Sequence, residues 1–327
     1  MFKKKNIIQK EHKRIITVTL NPSLDRTLIT HYFHPGYQNH TTEVSRLDAA
    51  GAGLNISHAL YCLGCKTNAL VLLGNDATGK AYQVLLDDKS FPVTAISTDG
   101  QTRSNTIILD TGTGEETQIT EEASNINRED FTLVANILKS NITKYDQVVL
   151  AGELPESAEV DTYAWLTQTA RELGAEVIIT DSGESLRMAL PAKPHLIAIS
   201  QDKLEPFFNI PIRDMRDVPI FANKVKEMGA EQVLVWMMEA NKALLVAENG
   251  PWMVSLPETD EGTSSGVWNA LLAGFLAGNC NQKGLKESLV FGAASAMYTA
   301  SHIGHQFGNI KEISALLDQI EIETVDH

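Results

Sequence analysis

The sequence predicts an α/β protein: a mostly parallel central sheet with helices on both faces, and a small β-sheet beside it. Three observations carry that expectation. A helical stretch that ends in glycine and is followed within a few residues by an apolar, β-branched run recurs three times. The strand-like runs are short and apolar throughout, the pattern of strands covered on both faces. Two polar stretches rich in Thr and His break this rhythm with loose alternation, as half-exposed strands do.

Ile15 to Leu20 reads as the first buried strand. Leu28 to Leu47 is the first polar stretch and is expected to give antiparallel strands of the small sheet. Leu54 to Leu63 then places Ile56, Ala59, Leu60 and Leu63 on one helical face. It stops at Gly64, a residue suited to the left-handed position beyond a helix end, and the strand Ala69 to Leu73 follows. Thr106 to Thr120 is the second polar stretch. Val148 to Leu150 is a strand; the helix Thr162 to Leu173 stops at Gly174 before Val177 to Thr180. Leu196 to Ile199 is a further strand, and the helix Phe221 to Met228 stops at Gly229 before Val233 to Val235. Ala270 to Ala277 is apolar all round, so it is expected to lie buried within the domain. No solenoid repeat, low-complexity linker or clean cut into two domains interrupts this order.

The chain has 327 residues, with 27 basic and 41 acidic side chains and a formal charge of −14. A protein of that charge does not bind nucleic acid through its bulk field, although a small basic pocket for one phosphorylated metabolite remains compatible with it. At 43% hydrophobic and 21% charged it carries enough apolar mass for a sizeable core. The three cysteines, Cys62, Cys65 and Cys280, are too few for a disulfide framework, and free thiols fit a reducing compartment. Lys3-Lys4-Lys5 is not followed by the apolar region of a signal peptide, and no apolar run is long enough to span a bilayer. A cytoplasmic protein with a basic N-terminal extension, residues 1–14, is therefore expected.

Several short patterns bear on chemistry. Cys62-Leu-Gly-Cys65 has the spacing of a redox or zinc pair but lacks a second pair, and Gly64 is already explained as a helix end. His31, His34 and His40 lie in a polar stretch and read as solvated strand histidines; no metal site is expected. Gly74 to Ala81 nearly spells a phosphate-binding loop, with Ala81 where Ser or Thr should hold magnesium; a simple strand-to-helix turn would look the same. Ala50-Gly51-Ala52-Gly53-Leu54-Asn55 opens a helix with small residues. Either a ligand approaches the backbone there or the helix packs closely on a strand. Ser264 to Asn269 precedes the apolar helix and offers a second helix N-terminus to an anion, with Asn269 near it.

Taken in order, these segments resemble the PfkB/ribokinase family of sugar kinases, in particular its 1-phosphofructokinase and tagatose-6-phosphate kinase branch. The resemblance runs from about residue 15 to 318. It is carried by Thr19-Leu-Asn-Pro-Ser-Leu-Asp25, Ala50 to Asn55, Gly74 to Gly79, Thr102-Arg-Ser-Asn105, Gly152-Glu-Leu-Pro155, Asp181 to Glu184 and Ala273 to Gly278. It implies a ribokinase-like domain with a small β-sheet lid, from about 27–48 and 104–121, through which a homodimer would form. It implies ATP and Mg²⁺ as cofactors and a phosphorylated hexose as partner. Asp25 would accept hydrogen bonds from sugar hydroxyls, Gly51, Gly53 and Asn55 would line the sugar site, and Arg103 would hold the existing phosphate.

The departures fall where the resemblance puts the chemistry. The family ends its signature Gly-Ala-Gly-Asp, the Asp being the base and the preceding backbone the anion hole. This chain has Gly266-Val267-Trp268-Asn269, and an amide takes no proton. The metal-organising Asn and Glu of the family correspond to Ser200 and Lys203, and the lysine of its sugar-side glycine motif to Ala52. The nucleotide-side glycine motif has become Trp236 to Lys242 with no glycine, and Glu153 has entered the segment after Val148 to Leu150. Lys203, Asp260 or Glu261 could compensate in part. The expected function is a hexose-phosphate kinase-like protein with transfer impaired or lost; the alternative is a pseudokinase that binds a sugar phosphate as a sensor or partner subunit.

Overall fold

The computed structural model describes residues 13–122, 126–212, 214–257, 266–302 and 305–325. Asp260 and Glu261, like Ser264 and Ser265, lie outside the described residues. The first half of the chain forms β1 (Ile15–Thr19), β2 (Ser23–Thr30), β3 (Arg46–Ala50), α1 (Ala52–Cys62), β4 (Thr67–Gly74), α2 (Ala77–Asp87), β5 (Val93–Thr98), β6 (Arg103–Asp110) and β7 (Glu116–Thr120). Then come α3 (Arg128–Asn141), β8 (Gln147–Ala151), α4 (Thr162–Glu172), β9 (Glu176–Thr180), α5 (Gly183–Ala189), β10 (Leu196–Ser200), α6 (Gln201–Phe208) and α7 (Val218–Glu227). The last third forms β11 (Gln232–Met237), β12 (Lys242–Ala247), β13 (Gly250–Ser255), α8 (Val267–Cys280), α9 (Leu285–Ala300), α10 (Ile310–Ser314) and β14 (Glu321–Thr324).

Ten strands make one sheet in the order β14-β13-β12-β11-β10-β9-β8-β1-β4-β5. From β11 to β5 the pairing is parallel throughout; β12, β13 and β14 add an antiparallel edge. Alternation along each strand feeds two cores. Val148 and Leu150 of β8 join one cluster with Phe131 of α3, Tyr163 of α4 and Phe207 of α6, whereas Val149 and Ala151 join the other with Ile56 of α1 and Leu271 of α8. Each fully buried Leu, Ile or Phe in these layers contributes about 1.5–3 kcal/mol over an exposed one. The apolar run foreseen as a buried helix is α8, packed closely on α9, and Gly64 and Gly174 end α1 and α4 in the left-handed conformation.

The two polar stretches build a separate four-stranded sheet in the order β3-β2-β6-β7. The pairs β2–β3 and β6–β7 are antiparallel, and they join through a parallel contact between β2 and β6. Residues 31–45 form no strand. Asp110 accepts the backbone N–H groups of Tyr32 and Phe33, and Asn39 bonds the backbone of His34 and Tyr37, so side chains satisfy the main chain that a ladder would otherwise use. The Gly74 to Ala81 segment is a strand-to-helix turn: Asp76 caps α2 by accepting the Gly79 N–H.

Candidate active site

Two clusters meet at the carboxyl ends of the parallel strands, where an open α/β sheet leaves a crevice. The first is built from β1, β2, α1 and β6. Asp25, 6% exposed, lies on β2 directly opposite Asn105 of β6. Its Oδ1 accepts from Ser23 Oγ at 2.7 Å and from Asn105 Nδ2 at 2.9 Å. Those two donors fix the carboxylate in one orientation. Arg103 begins β6 in register with Ser23; one guanidinium nitrogen donates to the Asn21 carbonyl at 3.3 Å, but its Nε is buried without a partner. Asn21 Oδ1 and Asn105 Oδ1 are buried and unpaired as well. These three polar atoms have no partner among the described residues, and a buried polar group left unpaired costs about 1–3 kcal/mol.

Asn55, 6% exposed on the first turn of α1, faces the same cluster. Packing requires glycine at both Gly51 and Gly53. A Cβ on Gly51, whose φ is +139°, would stand 2.6 Å from Thr19 Cγ2, and one on Gly53 would stand 2.5 Å from Thr19 Oγ1. Thr19 Oγ1 in turn accepts the Leu54 N–H at 3.1 Å. Close strand–helix contact thus accounts for the glycines and holds Asn55 beside Asp25's cluster. The Gly74–Gly79 turn supports the same region: Thr102, the neighbour of Arg103, bonds Gly74 N through its hydroxyl and Asp76 through its N–H.

The second cluster gathers the ends of β8, β9 and β10 with the start of α8. Gly266, at φ +81°, precedes Val267, Trp268 and Asn269, so Asn269 is the third residue of the helix. The Trp268 indole N–H donates to Thr180 Oγ1 at the end of β9, 3.3 Å away. Asp181 follows, 7% exposed. Burial pushes its carboxyl up to about 6, helped by the nearby Glu153 charge and opposed by Ser185, the Ser182 N–H and Lys203. Lys203 donates to Glu153 at 2.8 Å, and this hydrogen bond raises the ammonium's pKa further. Ser200 precedes α6 without capping it through its side chain. Among the described residues no group of three or more His, Cys, Asp or Glu side chains has the arrangement of a metal site.

One further residue enters the first cluster without any local signal in the sequence. His305 Nε2 stands 3.8 Å from Asp25 Oδ2, and Asn55 Nδ2 lies 3.4 Å from His305 Nδ1, across 250 residues of chain. Asn21 and Asn105 stood within motifs already singled out; His305 did not. A surface groove of about 910 Å³, lined by Arg128, Phe131, Trp165 and Met188, shares no residue with either cluster.

The two-sheet architecture is that of a ribokinase-like fold. Residues 18–312 match the family described as pfkB family carbohydrate kinase, and the chain belongs to that family. It is 30% identical over 308 residues to the 1-phosphofructokinase of Bacillus subtilis, covering 94% of this chain and 99% of the relative. It is 26% identical over 311 residues to that of Borreliella burgdorferi, covering 95% and 99%. A crystal structure of a putative phosphofructokinase from Staphylococcus aureus superposes with a TM-score of 0.77 at 26% identity, over 95% of this chain and 99% of that one. Phosphofructokinase-2 from Escherichia coli in complex with potassium superposes with a TM-score of 0.86 at 24% identity, over 94% and 98%, a likeness of fold. Kinases of this family in general use ATP and a divalent metal. Among the described residues no helix is long and apolar enough to cross a membrane.

Proposed function

We propose that this chain binds a phosphorylated hexose in the cluster around Asp25 and Arg103, and that ATP-dependent phosphoryl transfer to it is impaired or lost. The observation that carries the reading is the contrast between the two clusters. On the sugar side, Asp25 is held by Ser23 and Asn105 beside a buried guanidinium nitrogen with no partner. A carboxylate of fixed orientation orders hydroxyls, and a guanidinium accepts a phosphate fork. The residues present fit a sugar phosphate.

The opposite side does not fit ATP–Mg²⁺. Lys203, a cation of this cluster, is bonded to Glu153, and Asp181 adds a second carboxylate. Trp268 stands where the family has a glycine, its indole turned to Thr180. Asn269 at the position of the family's base accepts no proton, and loss of a general base lowers rates by about 10²–10⁴. Phosphoryl transfer rests on positioning and on neutralising the transferred charge, and neither is supported by these side chains. The same reading assigns the small sheet as the contact of a homodimer, which the exposed Leu47 and Ile119 favour.

Thermal unfolding with fructose 1-phosphate, fructose 6-phosphate or tagatose 6-phosphate, and with ATP–Mg²⁺, tests the reading. A ligand at 100 times its Kd adds about 2.7 kcal/mol. Stabilisation by a sugar phosphate and none by ATP–Mg²⁺ is the expected result. Stabilisation by ATP–Mg²⁺ alone, or coupled ADP release above about 1 s⁻¹, would overturn it.

A further inference from the structure

At the amino ends of β1, β4 and β8, across the sheet from both clusters, lies a groove of about 500 Å³. We propose that it is a second anion site, which takes a small ligand carrying two phosphate groups. Its lining holds four basic residues, Lys13, Arg14, Lys66 and Lys144, against one acidic residue, Asp146. That sign runs against the formal charge of −14 for the whole chain. By contrast, the groove beside Ile220 is lined by Arg216 and Lys224 against Asp214, Asp217 and Glu227. Lys13 is paired with Glu176 at 2.6 Å and Arg14 with Asp146 at 2.7 Å. Lys66 and Lys144 form no ion pair with a described residue, so two positive charges are left without a carboxylate.

The walls of the groove are held in place. The Ile15 N–H donates to the Lys66 carbonyl at 3.0 Å, and the Gln147 N–H to the Arg14 carbonyl at 2.9 Å. Asp146, besides pairing with Arg14, accepts the Thr143 N–H at 2.8 Å. Between them Tyr145 sits at φ +77°, its N–H donating to the Gly174 carbonyl at 3.1 Å. A bulky side chain keeps a positive φ only where its surroundings over-determine it. The Lys144 ammonium lies 5.0 Å from the centre of the Tyr145 ring, and a Cβ on Gly174 would stand 3.1 Å from Lys144 Cγ. The lysine stem is thus packed while its charge stays at the surface.

Sheet order sets the number of phosphates. β1 stands between β8 and β4, so Lys66, just before β4, and Lys144, in the turn before β8, flank it on opposite sides. Two strand spacings put those flanks about 10 Å apart. A single phosphate would have to draw both ammonium groups to one point against their mutual repulsion. Two phosphates in one ligand give each lysine its own partner and match the uncompensated charge. The volume suits a small metabolite. A diphosphate and a sugar bisphosphate share this chemistry.

Calorimetric titration of inorganic pyrophosphate, fructose 1,6-bisphosphate and inorganic phosphate into the full chain tests the proposal. Mg²⁺ is left out because it would bind the same phosphate oxygens. The variants are Lys66→Gln with Lys144→Gln, Lys66→Arg with Lys144→Arg, and Arg103→Gln in the sugar-side cluster. At least one two-phosphate probe should bind the wild type about tenfold or more tightly than inorganic phosphate, and the better one identifies the diphosphate or the bisphosphate. The double Gln variant should weaken that binding about tenfold, the loss of two exposed charge contacts. The double Arg variant should retain it, and Arg103→Gln should change it by less than about twofold. Both lysines are exposed, so the unliganded variants should melt with the wild type. No preference for two phosphates over one, or full binding by the double Gln variant, would overturn the proposal. So would binding lost in Arg103→Gln, which would put the ligand in the sugar-side cluster. None of these results bears on the sugar-phosphate reading, which rests on other residues.

Discussion

Asp181→Asn isolates the electrostatic state of the second cluster. The side chain is 93% buried, and burial lifts its carboxyl from 3.8 to about 6. Because the folded value is the higher one, the unfolded chain releases its proton first as pH rises. Below about pH 4 both states hold the proton and Asp181 exacts no penalty. Between pH 4 and 6 the unfolded state ionises while the folded state does not, so stability falls. Above pH 6 the folded protein carries a buried charge, and the loss is complete. A rise of about two units corresponds to about 3 kcal/mol.

Asparagine keeps the shape and an acceptor oxygen for Ser185 and the Ser182 N–H, and it carries no charge. The variant should therefore be more stable than the wild type by up to about 3 kcal/mol at pH 8 and equal to it near pH 4. With an unfolding entropy of about 2.1 cal/mol/K per residue, that difference is about 4 °C in Tm for a chain of this length. Calorimetric or fluorescence melts across pH 4–8 would show the two curves diverging as pH rises. A Tm offset that is constant with pH, or a variant less stable at pH 8, would refute the claim that burial of the Asp181 carboxyl outweighs the stabilisation it receives from Ser185, the Ser182 N–H and Lys203.

Three other outcomes follow from particular contacts. Asn269→Asp alone should raise coupled ADP release by less than about tenfold, because Trp268 and the Glu153–Lys203 pair stay in place; recovery by 10² or more would show the second cluster to be otherwise competent. Gly53→Ala should destabilise by about 1–3 kcal/mol in urea melts, since the added methyl lands 2.5 Å from Thr19 Oγ1 and 3.1 Å from the Val18 carbonyl. Lys203→Ala should shift stability by less than about 1 kcal/mol, because both partners of its ion pair are substantially exposed; a larger loss in the same melts would mean that Lys203 compensates Asp181 after all.

The scaffold was legible because its signals are local. Ile56 and Leu60 share a helical face, Gly64 and Gly174 end helices, and Val148 to Leu150 carries no polar residue, so each element declares its own burial. The antiparallel edge was not read: Lys242–Ala247 and Gly250–Ser255 mix charge, proline and apolar residues, and only pairing to β11 decides their state. The loop at 31–45 looked strand-like because its polar alternation is the same whether a ladder or Asp110 and Asn39 satisfy the backbone. In the site, Asp25 and Arg103 came from contiguous motifs, and register on β2 and β6 brings them together. His305 could not be read, since nothing around it marks a helix end, a strand or a repeat, and its partners lie at the far end of the chain.

On the proposed reading, the side chains of the second cluster are linked by contacts to one another. Trp268 bonds Thr180, the residue before Asp181; Asp181 is raised by burial and to a lesser degree by Glu153; and Glu153 takes up Lys203. Above pH 6 the described residues of this group carry two carboxylates and one ammonium, a net negative charge near the start of α8, where the helix dipole favours an anion. Restoring the base at 269 alone adds one more carboxylate to this group, and only a neutral residue at 153 as well brings the net charge back to its present value. If the proposed loss of transfer holds, recovering it needs at least two changes made together, the base at 269 and a neutral residue at 153. That double variant, set against Asn269→Asp alone, separates a missing proton acceptor from an unfavourable charge.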